Sequence, residues 1–249
     1  MNELNNPIEV ALRSAATDPA SRPDFYRLLV GSDVYVIGRT EGGEAGRHRV
    51  EPGEKISFQN WKKPDGSPVI PFFTSIEALQ KSITSPAGYL AIPAQALFEI
   101  TMGAVLVLNP GLGYGKEFHP EEIRAMLSGG VNRMPEQRTT QQETRVLLGQ
   151  PKTLPTEMLN ALSEFFRKRN AVQAAYLLLM HDVANEERPH LVVGIQADGD
   201  IELIVRDAGV VAADTGPRGE SVDMFHIVPG EKGLSEYFLS TVKPFYQRG

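Results

Sequence analysis

The sequence predicts an α/β chain, α+β in class, folded as two consecutive mixed-sheet domains. Three observations lead there. Short β-branched apolar runs alternate with amphipathic helical segments along both halves of the chain. A polar stretch over residues 128–143, holding Gly129, Gly130 and Pro135, interrupts that alternation and reads as a linker. The length, 249 residues, suits two domains of ordinary size. The first domain is placed at residues 1–130, the connecting stretch at 131–143 and the second domain at 144–249.

In the first half, Asn6-Pro7 opens a helix, with a capping Asn and then a Pro whose missing N–H costs nothing there. Ile8, Leu12 and Ala15 form its apolar stripe, and Asp18-Pro19 ends it. Residues 21–29 read as a second helix stopped by Gly31, and residues 34–37 as a short strand. Gly42, Gly43 and Gly46 mark residues 40–49 as an exposed loop. Residues 56–61 and 69–73 read as paired strands, because Asp65-Gly66 between them is a tight hairpin signal. Thr74-Ser75-Ile76-Glu77 matches a capping box with Thr74 as the cap. A strand at 89–92, a helix at 93–99 and an apolar strand at 104–108 follow. The loop Gly111-Leu112-Gly113-Tyr114-Gly115 then leads into a helix at 120–127.

The second half reads β-α-β-β-α-β-α. Strands fall at 146–148, 174–180, 191–195 and 223–228. Helices fall at 155–169, from the Asp198-Gly199-Asp200 cap to about 213, and at 234–242. That order is the pattern of a ferredoxin-like unit with an extra helix, or of a mixed sheet in another strand order.

Composition excludes several function classes. A net charge of −6 repels phosphate backbones, so no nucleic-acid partner is expected. The chain has no cysteine, which removes disulfides, thiolate metal sites and thiol catalysis and suits a reducing compartment. No apolar run reaches the roughly 18 residues of a membrane helix, and residues 1–10 carry Glu3 and Glu9 rather than a leader's apolar stretch. A cytoplasmic protein without a membrane partner is the expectation.

Candidate chemistry is thin. The glycine-rich loop is the place where backbone N–H groups could cradle an anion, with Gly111, Gly113, Tyr114, Gly115 and Lys116 as ligand-binding candidates. Its spacing matches neither dinucleotide-binding nor P-loop patterns, so a plain turn ranks first. His181, His190 and His226 fall on strands of one domain, but no metal-ligand spacing joins them, and no metal is assigned. No serine has the strained strand-to-helix setting of a nucleophile, and Ser128-Gly129-Gly130 follows a helix. The acidic pairs Glu186-Glu187 and Asp198/Asp200 lie at turns, and Arg167-Lys168-Arg169 is a helix end. No catalytic residue and no cofactor is assigned, and the chain is read as not an enzyme. Trp61, Phe245 and Tyr246 are the interface candidates, each also suited to covering this chain's own core.

Several segments together resemble the SseB-like (enhanced serine sensitivity) family. They are Asp24-Phe25-Tyr26-Arg27-Leu28-Leu29 before Val34-Tyr35-Val36, the Pro71-Phe72-Phe73-Thr74-Ser75 helix entry, and Asn109-Pro110-Gly111 running to Tyr114-Gly115-Lys116-Glu117-Phe118. The closing Val242-Lys243-Pro244-Phe245-Tyr246 adds to them. His119 stands where that family usually has Thr before Pro120-Glu121-Glu122-Ile123. The resemblance implies a bacterial protein of two modules, named for a serine-tolerance phenotype and carrying no catalytic residues that map onto this chain. The expected function is a non-catalytic interaction or regulatory protein with a protein partner. The alternative is a sensor of an amino acid or anionic metabolite at Gly111–Lys116. Homo-oligomerisation is the base-rate expectation.

Overall fold

The computed structural model describes residues 6–40, 56–127, 146–183, 188–217 and 219–249. The expected loop beyond Thr40, the linker at 128–143 and the Glu186-Glu187 pair lie outside them. The chain divides into two units, Met1–Thr17 with Asp24–Gly129, and Asp18–Pro23 with Gly130–Gly249.

The first unit is a mixed sheet flanked by helices. Helix α1 (Pro7–Thr17) begins where Asn6 accepts a bond from the Ile8 N–H through its side chain, as the Asn-Pro pair predicts. Helix α2 (Arg22–Val30) precedes β1 (Asp33–Thr40). Strand β1 pairs antiparallel with β2 (Ile56–Phe58), β4 (Pro68–Phe73) and β5 (Tyr89–Pro93), while β3 (Trp61–Lys62) pairs with β4. The expected hairpin over 56–73 is therefore real only at its tip. The Trp61–Val69 and Lys62–Pro68 pairs flank the turn, and Asp65 binds Ser67 N–H there, whereas Ile56–Phe58 turns to β1. Helix α3 (Ile76–Ser82), helix α4 (Ala94–Ile100) and β6 (Leu106–Leu108), parallel to β4, complete the scaffold below the loop. Phe25, Leu29, Val34, Val36, Phe72, Leu97, Phe98, Leu106 and Phe118 are wholly buried in the core.

After the loop the chain forms β7 (Lys116–Phe118), antiparallel to β6, before α5 (Pro120–Leu127). The glycine-rich segment is thus a hairpin connection, and a strand separates it from the helix it was expected to enter. The reason is Phe118. Its ring is buried against Phe72 and Phe98 at centroid distances of 5.8 and 5.9 Å, which fixes Lys116–Phe118 as a strand on the sheet.

The second unit is a five-stranded mixed sheet. Strand β9 (Val172–Asp182) runs through its middle, antiparallel to β10 (His190–Ala197), to β8 (Val146–Gly149) and to β12 (Pro244–Gln247). Strand β11 (Val222–His226) lies parallel to β10 at one edge. The spatial order β11-β10-β9-β12, with β8 also on β9, is a mixed sheet whose central pair is consecutive in sequence. Helices α6 (Thr156–Arg167) and α7 (Ile201–Thr215) bury Met158, Leu162, Phe165, Phe166, Ala208 and Val211 on one face. Helix α8 (Leu234–Thr241) buries Phe238 on the other. Asp200 caps α7 by accepting the Leu203 N–H, as its sequence position predicts.

A short 3-10 turn at Pro19–Ser21 belongs to this second unit: Ala20 is wholly buried in its core. Lys168 donates to Asp18 at 2.6 Å, and Arg22 pairs with Asp214 at 2.9 Å. Burial alone would raise the Asp18 carboxyl; bonds from Lys168, Ser21 and the Ala20 N–H outweigh it and hold the group below its ordinary value. Strand β12, absent from the sequence reading, carries Tyr246 into the core. Arg248 then donates to the Phe166 and Arg169 carbonyls at the end of α6, satisfying acceptors that a helix terminus leaves open.

Candidate functional site

The loop between β6 and β7 holds four of the five ligand-binding candidates, and the fifth, Lys116, is the first residue of β7. Its backbone is shaped by two requirements. Gly111 sits at φ +78°, where a side chain would be strained, and the neighbouring Asn109 adopts φ +49°, which Asn tolerates better than most residues. Gly115 crosses close to the opposite strand: a Cβ there would lie 2.7 Å from the Leu108 carbonyl oxygen. Gly115→Ala should therefore cost about 1–3 kcal/mol by forcing the hairpin apart. Chemical denaturation measures it, and a neutral result would contradict the close approach.

The side chains of this loop are engaged within the unit. Lys116 Nζ lies 2.8 Å from Glu122 Oε1, 5.0 Å from the centre of the Phe118 ring and 5.7 Å from that of Tyr26. Tyr26 Oη donates to the same Glu122 oxygen at 2.9 Å. On the other face of β7, Glu117 accepts from Lys63 at 2.8 Å, and His119 Nε2 stands 3.3 Å from it. The bond to Glu117 raises the Lys63 ammonium above its ordinary value. Tyr114 lies beneath the Arg13 guanidinium, 4.5 Å from ring centre to Cζ. Its hydroxyl is pushed up by burial, and further by the nearby Glu9 carboxylate.

Glu9 is the residue that sequence reasoning missed. It is only 7% exposed, and Thr74 at 3% and Asn109 at 0% are buried with it. Thr74 Oγ1 donates to Glu9 Oε1 at 2.7 Å, Ser75 Oγ reaches the same oxygen at 3.3 Å, and Arg13 lies 3.9 Å from the other. Asn109 Oδ1 accepts the Thr74 N–H at 3.0 Å, and Asn109 Nδ2 donates to Thr74 Oγ1 at 3.1 Å. Asn6 Nδ2 donates to the Thr74 carbonyl at 2.9 Å. A buried carboxylate is tolerable only when donors surround it, and here they do. This network also corrects the capping assignment. Ser75, not Thr74, caps α3 by accepting the Ala78 N–H at 3.0 Å, because Thr74 is held in the cluster one residue earlier.

The other candidates are dispersed. His190 stands opposite Met180 in the register, so the adjacent His181 projects from the other face of the sheet; His226 pairs with Ile195, five residues along β10 from His190. His190 Nε2 lies 3.2 Å from Asp223 Oδ2. Among the described residues no group of three His, Asp or Glu side chains could hold a metal ion. Asp198 accepts from Gln173, Asp200 caps α7, Lys168 binds Asp18, and Arg169 stacks on Phe165 at 4.2 Å. Trp61 is half-buried with its ring edge-on to Phe73 at 6.2 Å. Phe245 and Tyr246 pack on Phe166 at 6.3 and 5.7 Å. Open hollows are found among the described residues. One, of about 390 Å3, lies beside Gly38, Arg39, Gln59 and Pro86; another, of about 330 Å3, lies beside Glu231, Lys232 and Glu236. Among the described residues no helix is long and apolar enough to cross a membrane.

Comparison with known proteins accounts for nearly the whole chain. Residues 8–125 match the SseB protein N-terminal domain, and residues 140–248 match the SseB protein C-terminal domain. Protein SseB of Escherichia coli (strain K12) is 39% identical over 249 residues, covering 100% of this chain and 94% of the relative. Protein SseB of Shigella flexneri shows the same identity and coverage. No solved structure matches. With both modules matched in order and full-length relatives at this identity, the chain belongs to the SseB family.

Proposed function

We propose that this protein is a cytoplasmic, non-catalytic interaction protein that influences serine tolerance by binding a protein partner. The observation that supports this reading most is the internal commitment of the loop. Lys116 is paired with Glu122, Tyr114 is packed against Arg13, and the hydroxyls behind them bond Glu9, so these groups stabilise the fold instead of facing a solute. The net charge of −6 favours a protein partner over a nucleic acid.

The competing reading is a sensor of an amino acid or anionic metabolite at Gly111–Lys116, and one experiment separates the two. Melting curves are recorded with serine, the other amino acids and phosphorylated metabolites at millimolar concentration. A ligand at about 100 times its Kd adds roughly 2.7 kcal/mol, which moves the midpoint by several degrees. The interaction reading expects no such shift, together with a reproducible protein captured at low salt by the tagged full chain. A shift that Lys116→Ala abolishes would replace it with the sensor reading. Failure to capture any partner under every growth condition would also count against it.

A further inference from the structure

The donors around Glu9 are arranged as a receptor for one carboxylate. Each of the two hydroxyls has an amide N–H bonded to its oxygen: Asn109 Nδ2 donates to Thr74 Oγ1 at 3.1 Å, and the Ala78 N–H donates to Ser75 Oγ at 3.0 Å. A hydroxyl whose oxygen already accepts a bond is turned to give its own proton away. Both hydroxyls reach the same oxygen, Glu9 Oε1, at 2.7 and 3.3 Å, and for Thr74 this is the shorter of two acceptors, Asn109 Oδ1 lying at 3.3 Å. Such relays polarise each other and strengthen the terminal bond to a charged acceptor. Arg13, 3.9 Å from Glu9 Oε2, closes the remaining side, with the Tyr114 ring packed against its guanidinium. These donors come from positions far apart in sequence: Thr74 lies 65 residues from Glu9, and Asn109 a further 35. The first turn of α1 brings the carboxylate to a site whose other walls are built by the start of α3 and the β6–β7 loop.

We propose that Thr74, Ser75 and Arg13 form a carboxylate-binding site that Glu9 occupies in cis, and that a small free monocarboxylate binds there when the Glu9 carboxylate is withdrawn. The site selects a planar anion with two acceptor oxygens. Hydroxyl donors and a guanidinium meet that requirement, and chloride, being spherical, does not. In the intact chain the tethered carboxylate wins because its effective concentration exceeds that of any free competitor. The inference is independent of the partner-binding reading, since it concerns only what fills this cluster.

The test is chemical rescue of the full chain. Glu9→Ala removes the carboxylate and leaves its donors in place. Its melting temperature should fall by several degrees and should rise again with formate or acetate in a saturable manner. Sodium chloride at equal ionic strength should not reproduce the rise. Wild type and Glu9→Gln, whose side chains still fill the space, should show no formate-specific rise. The double variant Glu9→Ala/Thr74→Val, lacking the main donor, should lose most of the rescue. If Glu9→Ala does not fold unaided, the same comparison is made during refolding, and recovery in formate but not in chloride supports the site. Equal responses to formate and chloride, in melting or in refolding, would overturn the proposal.

Discussion

Phe118→Ala is expected to cost the first unit about 3–5 kcal/mol. The ring is wholly buried and meets Tyr26, Phe72 and Phe98 at centroid distances of 6.4, 5.8 and 5.9 Å. Strand β7 is three residues long, and of those three only Phe118 is buried. Truncation therefore removes apolar burial and three ring contacts at once, and the cavity opens among Tyr26 of α2, Phe72 of β4 and Phe98 of α4. The same ring also lies beneath Lys116 Nζ, so the loop's cation loses part of its seat. Chemical denaturation should show a much lower midpoint for the cooperative step of this unit. A loss below about 1 kcal/mol would mean that β7 is not anchored in this way.

Thr74→Val is expected to cost roughly 3 kcal/mol although it changes shape hardly at all. The substitution deletes one hydroxyl that serves two partners. Glu9 loses its shortest donor, and Asn109 Nδ2 loses its acceptor, both in buried surroundings. A bond to a charged group is worth about 1.5–3 kcal/mol, and a stranded buried polar group costs about 1–3 kcal/mol more. Thr74→Ser keeps the hydroxyl and should retain most of the stability. If Val and Ser variants behave alike, packing of the methyl group decides the position and the hydrogen bonds do not.

Much of the fold was legible because local signals and tertiary structure agree. Asn6-Pro7 opens α1, Asp200 caps α7, and Met158, Leu162, Phe165 and Phe166 lie on the buried face of α6 as their helical spacing predicts. What escaped is what long-range contacts decide. Residues 116–118 look like the run-in to a helix, yet a buried Phe118 against β6 makes them a strand. Residues 244–247 are few, and pairing with β9 rather than their own composition makes them β12. Thr74-Ser75 offers two adjacent caps, and only the bond to Glu9 shows which is otherwise engaged.

The site was less legible than the fold for the same reason. Glycines at 111, 113 and 115 announce a turn, and they do not say which side chains meet behind it. Glu9 sits in the first turn of a helix, where an acidic residue ordinarily just complements the dipole. The one local hint is that it flanks the Ile8–Leu12–Ala15 stripe, close enough to be carried into the interior with them. Its partners are set by the sheet, which brings Thr74 at the end of β4 beside Asn109 at the end of β6 through the parallel pairing of those strands.

The central claim is that the polar groups behind the glycine-rich hairpin hold one another. A double-mutant cycle on Glu9→Ala and Thr74→Val, followed by chemical denaturation of the full chain, tests it directly. The account predicts a coupling of at least about 1 kcal/mol, with the double variant clearly more stable than the sum of the two losses implies. Losses that add within about 0.3–0.5 kcal/mol would show that the two side chains act independently, and would contradict it.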